Sequence, residues 1–385
     1  MDFEFSQSER EFREELREFL REEVDEGVVA ETVGMGGLGP HSLKLLRKLG
    51  ERRLLAPSWE EKYGGRGLSH VAQAIMHNEL SYHLGPHPLD GLIIGNTLRL
   101  VGSESQKEFY LPQIARGEIE FALGYTEPQA GSDLASIEMS AIEHGDEFII
   151  NGQKIYNTEA HYADYHWLAV RTDTSVPKHK GISLFIVDLK SPGITIRPLI
   201  TMASLRTNEV FYDDVHVSKD NLVGDKNKGW DYMMQALNRE RTVSIGVEHR
   251  WFDEMVKYVM QPENGDYARI KERWVQEELA QLAMEIHIGY LLIYRAASLA
   301  DKGIPIIYES SMAKTFIKEL RQRLFITAME ILGPYGQLTQ GAKWAVLDGQ
   351  ITREYLDMTR WTIVAGTSEI QRNIMALRGL RLPRQ

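Results

Sequence analysis

"DEFIINGQKIYNT", residues 146 to 158, marks a change of texture in the chain. Apolar and polar residues alternate on both sides of Asn151-Gly152, which is the period of a half-buried strand. Asn-Gly between two such runs is a strong two-residue hairpin signal. Four short strand-like runs follow at regular spacing: "YHWLAVRT" (165 to 172), "GISLFIVDL" (181 to 189), "GITIRPLI" (193 to 200) and "EVFYDDVHV" (209 to 217). The pattern predicts a β domain in the middle of the chain.

On either side the period is helical. Ser6 to Glu9 has capping-box spacing, and Phe12, Leu16, Phe19 and Leu20 then share one helix face. "SLKLLRKLGERRLL" and "VAQAIMHNELSYHLG" continue the pattern around the glycine-rich "KYGGRG", and the helical third ends near "LPQIARGE". After Gly229 the helical period returns in segments such as "WVQEELAQLAMEIHIGYLLIYRAASLA" and "SSMAKTFIKELRQRLFITAMEIL", which predicts a bundle with short connections. The fold class is therefore α+β, with units at residues 1–120, 121–228 and 229–385. The chain shows no repeat and no low-complexity tract.

A chain of 385 residues can bury a sizeable core and is enzyme-sized. Its formal net charge of -11 argues against a general nucleic-acid binder, because phosphate neutralisation needs a basic face. The absence of cysteine removes disulfides, thiolate metal sites and thiol nucleophiles, and fits a reducing compartment. No metal is expected. Residues 1 to 30 lack an apolar signal-like core and no uncharged apolar run is long enough to cross a bilayer, so the expectation is a cytoplasmic protein without membrane insertion.

Three segments carry candidate chemistry. "YTEPQAGSD" (125 to 133) packs hydroxyls and a glycine into one loop, which suits a polar heterocycle or phosphate and equally suits an ordinary turn. In "IYNT" (155 to 158), Tyr156 and Thr158 fall two residues apart on a predicted strand, on one side, where an aromatic and a hydroxyl could flank a flat ring system; a half-buried Tyr with a surface Thr is the plainer reading. "AGTSEIQRN" (365 to 373) puts small residues, a hydroxyl and a Gln-Arg pair where one helix breaks and another starts, and Thr367 and Glu369 could be only a cap and its first-turn acid.

Taken in order with "NGQKIYNT", "FYDDVHV" and "AGTSEIQRNIMA", these segments resemble the acyl-CoA dehydrogenase family over essentially the whole chain. The resemblance implies an N-terminal α-helical domain, a middle β-barrel domain and a C-terminal four-helix bundle, with FAD between the last two. It implies that Tyr125, Thr126, Gly131, Ser132, Tyr156, Thr158, Gly366, Thr367 and Glu369 contact FAD, and that Ser132, Arg241 and Ala365 meet the acyl-CoA substrate. It further implies an electron-transferring flavoprotein as acceptor and a homotetramer or homodimer. Two departures stand out. The Arg-x-x-Phe by which relatives reach a neighbouring subunit's FAD is not visible in "YVMQPENGDYARIKERW", where Arg269 or Arg273 are the available substitutes. Where many relatives read Gln-x-x-Gly-Gly, this chain has "EILGPYG", with Glu330 and Pro334.

The implied reaction removes an α-proton from an acyl thioester, which requires a positioned carboxylate. Most members of the family hold it directly before the Gly-Thr of the last motif, and here that residue is Ala365. A branch resembling isovaleryl-CoA dehydrogenase carries the base on the first bundle helix in a Leu-x-x-Glu-Arg context, which matches Leu237, Glu240 and Arg241 in "LNRERTVSIG" (237 to 246). Independently, Trp230, Met233, Met234 and Leu237 form an apolar stripe that Glu240 continues, and burial raises a carboxylate's pKa toward a useful range. The competing reading of Glu240 is a structural ion pair. For the chain as a whole, the rivals are a β-eliminating flavoprotein on the same scaffold and a non-catalytic subunit of a heteromeric dehydrogenase.

Overall fold

The computed structural model describes residues 4–35, 37–86, 89–240, 244–261 and 269–383; at 34, 35, 89 and 235–240 the backbone alone is described. Ser6 caps the first helix, α1 (Gln7–Glu23), accepting the Glu9 N–H while the Glu9 carboxylate accepts the Ser6 N–H at 2.8 Å. The face carrying Phe12, Leu16, Phe19 and Leu20 is buried as its spacing predicts. The remaining N-terminal helices are α2 (Glu26–Val29), α3 (Pro40–Glu51), α4 (His70–Tyr82), α5 (Leu89–Val101) and α6 (Glu104–Ala115).

The strands are β1 (Phe121–Gly124), β2 (Ser140–His144), β3 (Glu147–Lys154), β4 (Tyr165–Arg171), β5 (Ile182–Asp188), β6 (Ile194–Ile200), β7 (Arg206–Ser218) and β8 (Leu222–Val223). They form one sheet in the order β6-β7-β3-β2-β4-β5-β8, with β1 parallel to β4. Among the described residues the path ends at β6 and β8 and is not hydrogen-bonded into a closed barrel. Successive residues of β4 and β5 feed two cores. Trp167 and Ala169 join the core of the N-terminal helices, whereas Leu168 and Val170 join the core on the other face. Burial on both faces explains the near-continuous apolar composition of these two strands.

The expected hairpin at Asn151-Gly152 is not there. β3 runs straight through it, the β2–β3 turn falls at Gly145-Asp146, and Asn151-Gly152 is a bulge against β7. The Asn151 amide explains the choice, because it donates to Asp214 at 2.9 Å and accepts the Asp214 N–H at 2.8 Å. Gly152 has φ 140°, and a Cβ there would lie 2.7 Å from Met139 Cγ. Asn-Gly supplied a bulge rather than a reversal because β7 offered it a cross-strand partner.

The C-terminal unit contains α7 (Gly229–Glu240), α8 (Gly246–Met260), α9 (Arg273–Asp301), α10 (Ile307–Leu332), α11 (Gln350–Trp361) and the short α12 (Ser368–Ile374). A third core joins α8 to α11, from Trp251 through Ile286 and Phe325 to Met358. α7 lies against α5 and β5. Its start fits because Gly229 has no side chain: a Cβ would come within 2.7 Å of the Ser183 backbone. Met233 of α7 is fully buried in the first core, which therefore runs from the N-terminal helices across the sheet to the bundle. No helix among the described residues is long and apolar enough to cross a membrane.

Candidate functional site

The first two motifs meet at the end of β3. Thr126 O accepts the Ile155 N–H at 2.9 Å, and Asn157 Nδ2 donates to Leu123 O at 2.6 Å. The loop from 125 to 133 is anchored from inside by Glu127. Its carboxylate accepts the N–H groups of Glu138 (2.6 Å) and Met139 (3.0 Å) and pairs with Lys154 at 2.7 Å. Lys154 also donates to Tyr125 O at 3.0 Å. Burial outweighs the attraction of Glu127 and brings the Lys154 ammonium down to about 8. The Tyr125 ring belongs to the core, and its hydroxyl accepts from Trp167 Nε1 at 2.9 Å. Gly131 and Ser132 are exposed at the loop tip, and a Cβ on Gly131 would meet nothing within 4 Å.

Tyr156 and Thr158 are not on a strand, because β3 ends at Lys154. Tyr156 has φ 61° and Thr158 N–H turns back onto Tyr156 O at 3.0 Å. A left-handed non-glycine residue costs of order 1–3 kcal/mol and persists only where neighbours over-determine it. Here Asn157 does so: its N–H donates to Asn208 O at 2.9 Å, its carbonyl accepts Asn208 Nδ2 at 2.8 Å, and its side chain holds Leu123. The result is a Tyr156 side chain held 61% exposed beside the loop. His161, four residues after Asn157, is kept neutral by burial and by Arg206, which bring its pKa down to about 4.

The third motif sits on α10. Thr367 caps α12, its hydroxyl accepting the Ile370 N–H at 3.2 Å. Glu369 is exposed, and its carboxyl is held below the usual range by its own backbone N–H and by the Thr367 hydroxyl. Before the cap, Ala365 (φ 53°) and Gly366 (φ 88°) are both left-handed. Their turn is tied down by Lys314, which donates to Val364 O at 2.6 Å and to Gly366 O, and by Gln371, whose Nε2 donates to Ala365 O at 3.1 Å and Gly366 O at 3.2 Å. A cavity of about 340 Å³ opens alongside, lined in part by Glu319, Gln322, Thr362, Ser368 and Glu369.

Glu240 is the last residue of α7, and its side chain lies outside the described residues, as does all of Arg241. The helix itself carries Met233 into the core, with Trp230 and Met234 packed against it.

The three parts of the chain match three domain families in order. The acyl-CoA dehydrogenase N-terminal domain matches residues 6–118, the middle domain 122–215 and the C-terminal domain 227–380. The chain belongs to the acyl-CoA dehydrogenase family. It is 37% identical to the acyl-CoA dehydrogenase FadE29 of Mycobacterium tuberculosis over 358 residues, 90% of each chain. Among solved structures it is similar to the Tcur3481-Tcur3483 steroid acyl-CoA dehydrogenase (TM-score 0.92, 32% identity, all of both chains). It is also similar to the ChsE4-ChsE5 complex of Mycobacterium tuberculosis (TM-score 0.90, 32% identity, all of both chains).

As a member of this family the chain is an FAD-dependent oxidoreductase. The residues present fit the group. An exposed, conformationally strained Tyr156 offers a ring face, the loop tip is open at Gly131, and the buried Oδ1 of Asn157 and Oε1 of Gln371 have no hydrogen-bond partner among the described residues. Motif reading passed over Lys154 and Lys314, and it noted Glu127 and Gln371 within their motifs without giving either a role. A signal existed for two of them: Lys154 and Lys314 are charged residues inside apolar periods, and both are buried.

Proposed function

We propose that this protein desaturates an acyl-CoA thioester between Cα and Cβ, with Glu240 as the base that takes the α-proton. FAD, when bound, supplies the hydride acceptor at N5. The observation that carries the reading is α7: it buries Met233, begins in contact with β5 and ends at Glu240, while the usual position of the base is occupied by Ala365. Tyr156, Thr158 and the 125 to 133 loop, including Tyr125, Thr126, Gly131 and Ser132, are assigned to the flavin side. Gly366, Thr367 and Glu369 are assigned to its adenosine and diphosphate side. Ser132, Arg241 and the Ala365 backbone N–H are assigned to the thioester. The functional units are taken as 1–120, 121–228 and 229–385. An electron-transferring flavoprotein is the proposed acceptor and the cytoplasm the proposed location.

Likeness to a steroid acyl-CoA dehydrogenase makes a steroid-derived acyl thioester the first substrate class to test. The direct experiment is anaerobic mixing of the yellow protein with short, branched, long and steroid acyl-CoA thioesters. Bleaching of the flavin by any of them, lost in Glu240→Gln, supports the assignment. Bleaching undiminished in that variant overturns the role of Glu240, and loss of a β-substituent without bleaching favours a β-eliminating enzyme.

A second reading concerns assembly. Glu330 and Pro334 replace the family's Gln-x-x-Gly-Gly contact, and Tyr335 and Trp344 nearby are 46% and 61% exposed. A non-identical subunit that completes the FAD site would cover them, and the similar ChsE4-ChsE5 structure is of a two-component complex.

A further inference from the structure

The turn before α12 holds a polar arrangement that the family motif does not explain. Its peptide bonds are all trans, and in a trans peptide the C=O of one residue points opposite to the N–H of the next. Val364 O and Gly366 O are both drawn to the Lys314 ammonium on α10, and Ala365 O is drawn to Gln371 Nε2. The N–H groups of Ala365 and Thr367 therefore point away from Lys314 and that of Gly366 away from Gln371, and none has a protein acceptor among the described residues. Lys314 is 4% exposed and Gln371 fully buried, so neither grip is loosened by water. Ala365 has a Cβ and would leave φ 53° if released.

We infer that Lys314, assisted by Gln371, is a positioning residue that aims the Ala365 N–H at the thioester oxygen and strengthens it as a donor. The inference rests on the assignment of that N–H to the thioester made above. Two effects act together. Geometrically, the lysine fixes the Val364–Ala365 and Gly366–Thr367 peptide planes, and Gln371 fixes the Ala365–Gly366 plane between them. Electrostatically, an ammonium on the Val364 carbonyl polarises the Val364–Ala365 peptide and makes its N–H more acidic, which matters most when the oxygen it meets carries enolate charge. Lys314 stays remote from the reacting atoms, and its effect grows with negative charge on the ligand. A purely structural lysine would give no such discrimination.

The test compares the FAD-loaded wild type with Lys314→Met, which keeps the length of the side chain and removes its donors. Hydrogen exchange of the segment 363 to 368 should accelerate at least about tenfold in the variant if the turn is released. Binding is then measured for acetoacetyl-CoA, which ionises to an enolate, and for butyryl-CoA, which does not. We expect the variant to lose about 10-fold to 100-fold affinity for the enolate ligand and less than about threefold for butyryl-CoA, in line with the cost of a misplaced donor. Lys314→Arg should restore part of the difference. Equal losses for both ligands, or unchanged exchange, would overturn the inference. Failure of the wild type to prefer the enolate would instead overturn the thioester assignment beneath it. If Lys314→Met does not fold, Gln371→Met decides: a selective loss for acetoacetyl-CoA supports the inference, and equal binding of the two ligands to variant and wild type refutes it.

Discussion

The Lys154 ammonium lies 2.7 Å from the Glu127 carboxylate with both side chains sealed from solvent, at 0% and 2% exposure. This pair joins the end of β3 to the base of the candidate cofactor loop, and two backbone N–H groups complete the carboxylate. Removing one partner strands a buried charge, which costs about 3–5 kcal/mol. We expect Lys154→Met and Glu127→Gln each to lower urea stability by that order, and the double variant to cost clearly less than their sum. Additive losses under about 1 kcal/mol would show that the pair is not the anchor.

Stability should fall as pH rises from mildly acidic to neutral, through Glu120. Burial first, then Asp90 and Asp164, push its carboxyl up from 4.5 to about 8. The sign follows from proton counting. Between about pH 4.5 and 8 the folded chain keeps this proton and the unfolded chain loses it, so unfolding becomes easier by up to about 1.4 kcal/mol per pH unit and levels off above 8. Glu159, also pushed up to about 8 by burial and by Glu120, adds in the same direction. Denaturation of Glu120→Gln across this range should show a flatter profile than the wild type; parallel profiles would exclude Glu120 as the source.

For the chemistry, Glu240→Gln in the FAD-loaded protein should slow flavin reduction by at least about 10²-fold while the thioester still binds, since general-base catalysis is worth about 10²–10⁴-fold. Stopped-flow absorbance separates the two steps. A reduction rate within a few fold of the wild type would return Glu240 to the role of an ion-pair residue.

Assembly makes a separate prediction. Purified alone, the chain should carry less than one FAD per subunit, because Glu330 and Pro334 stand where many relatives read Gln-x-x-Gly-Gly. Co-expression with a homologous second chain should raise the ratio of flavin to protein absorbance. Full occupancy of a homotetramer by light scattering would refute the heteromeric reading.

Much of this protein was legible without coordinates because the relevant signals are local. The Ser6 capping box, the stripe from Phe12 to Leu20, the strand runs and the helical return at Gly229 each depend on residues within one or two turns of one another. The motifs around Tyr125, Tyr156 and Thr367 are local in the same sense, and the structure joins the first two through Thr126 and Ile155.

Sequence by itself determined the order of the three units, the membership of the family and the alanine at position 365, since these are matters of period and residue identity. Tertiary structure decided what the same residues do across long separations. Asn151-Gly152 became a bulge because Asp214 in β7 offered its amide a partner. Tyr156 left the strand because Asn157 and Asn208 exchange hydrogen bonds. Lys314 became the clamp on Val364 and Gly366 because α10 lies under that turn. Each outcome depends on a hydrogen bond between residues about 50 or more positions apart, and local propensity carries no information about such a partner.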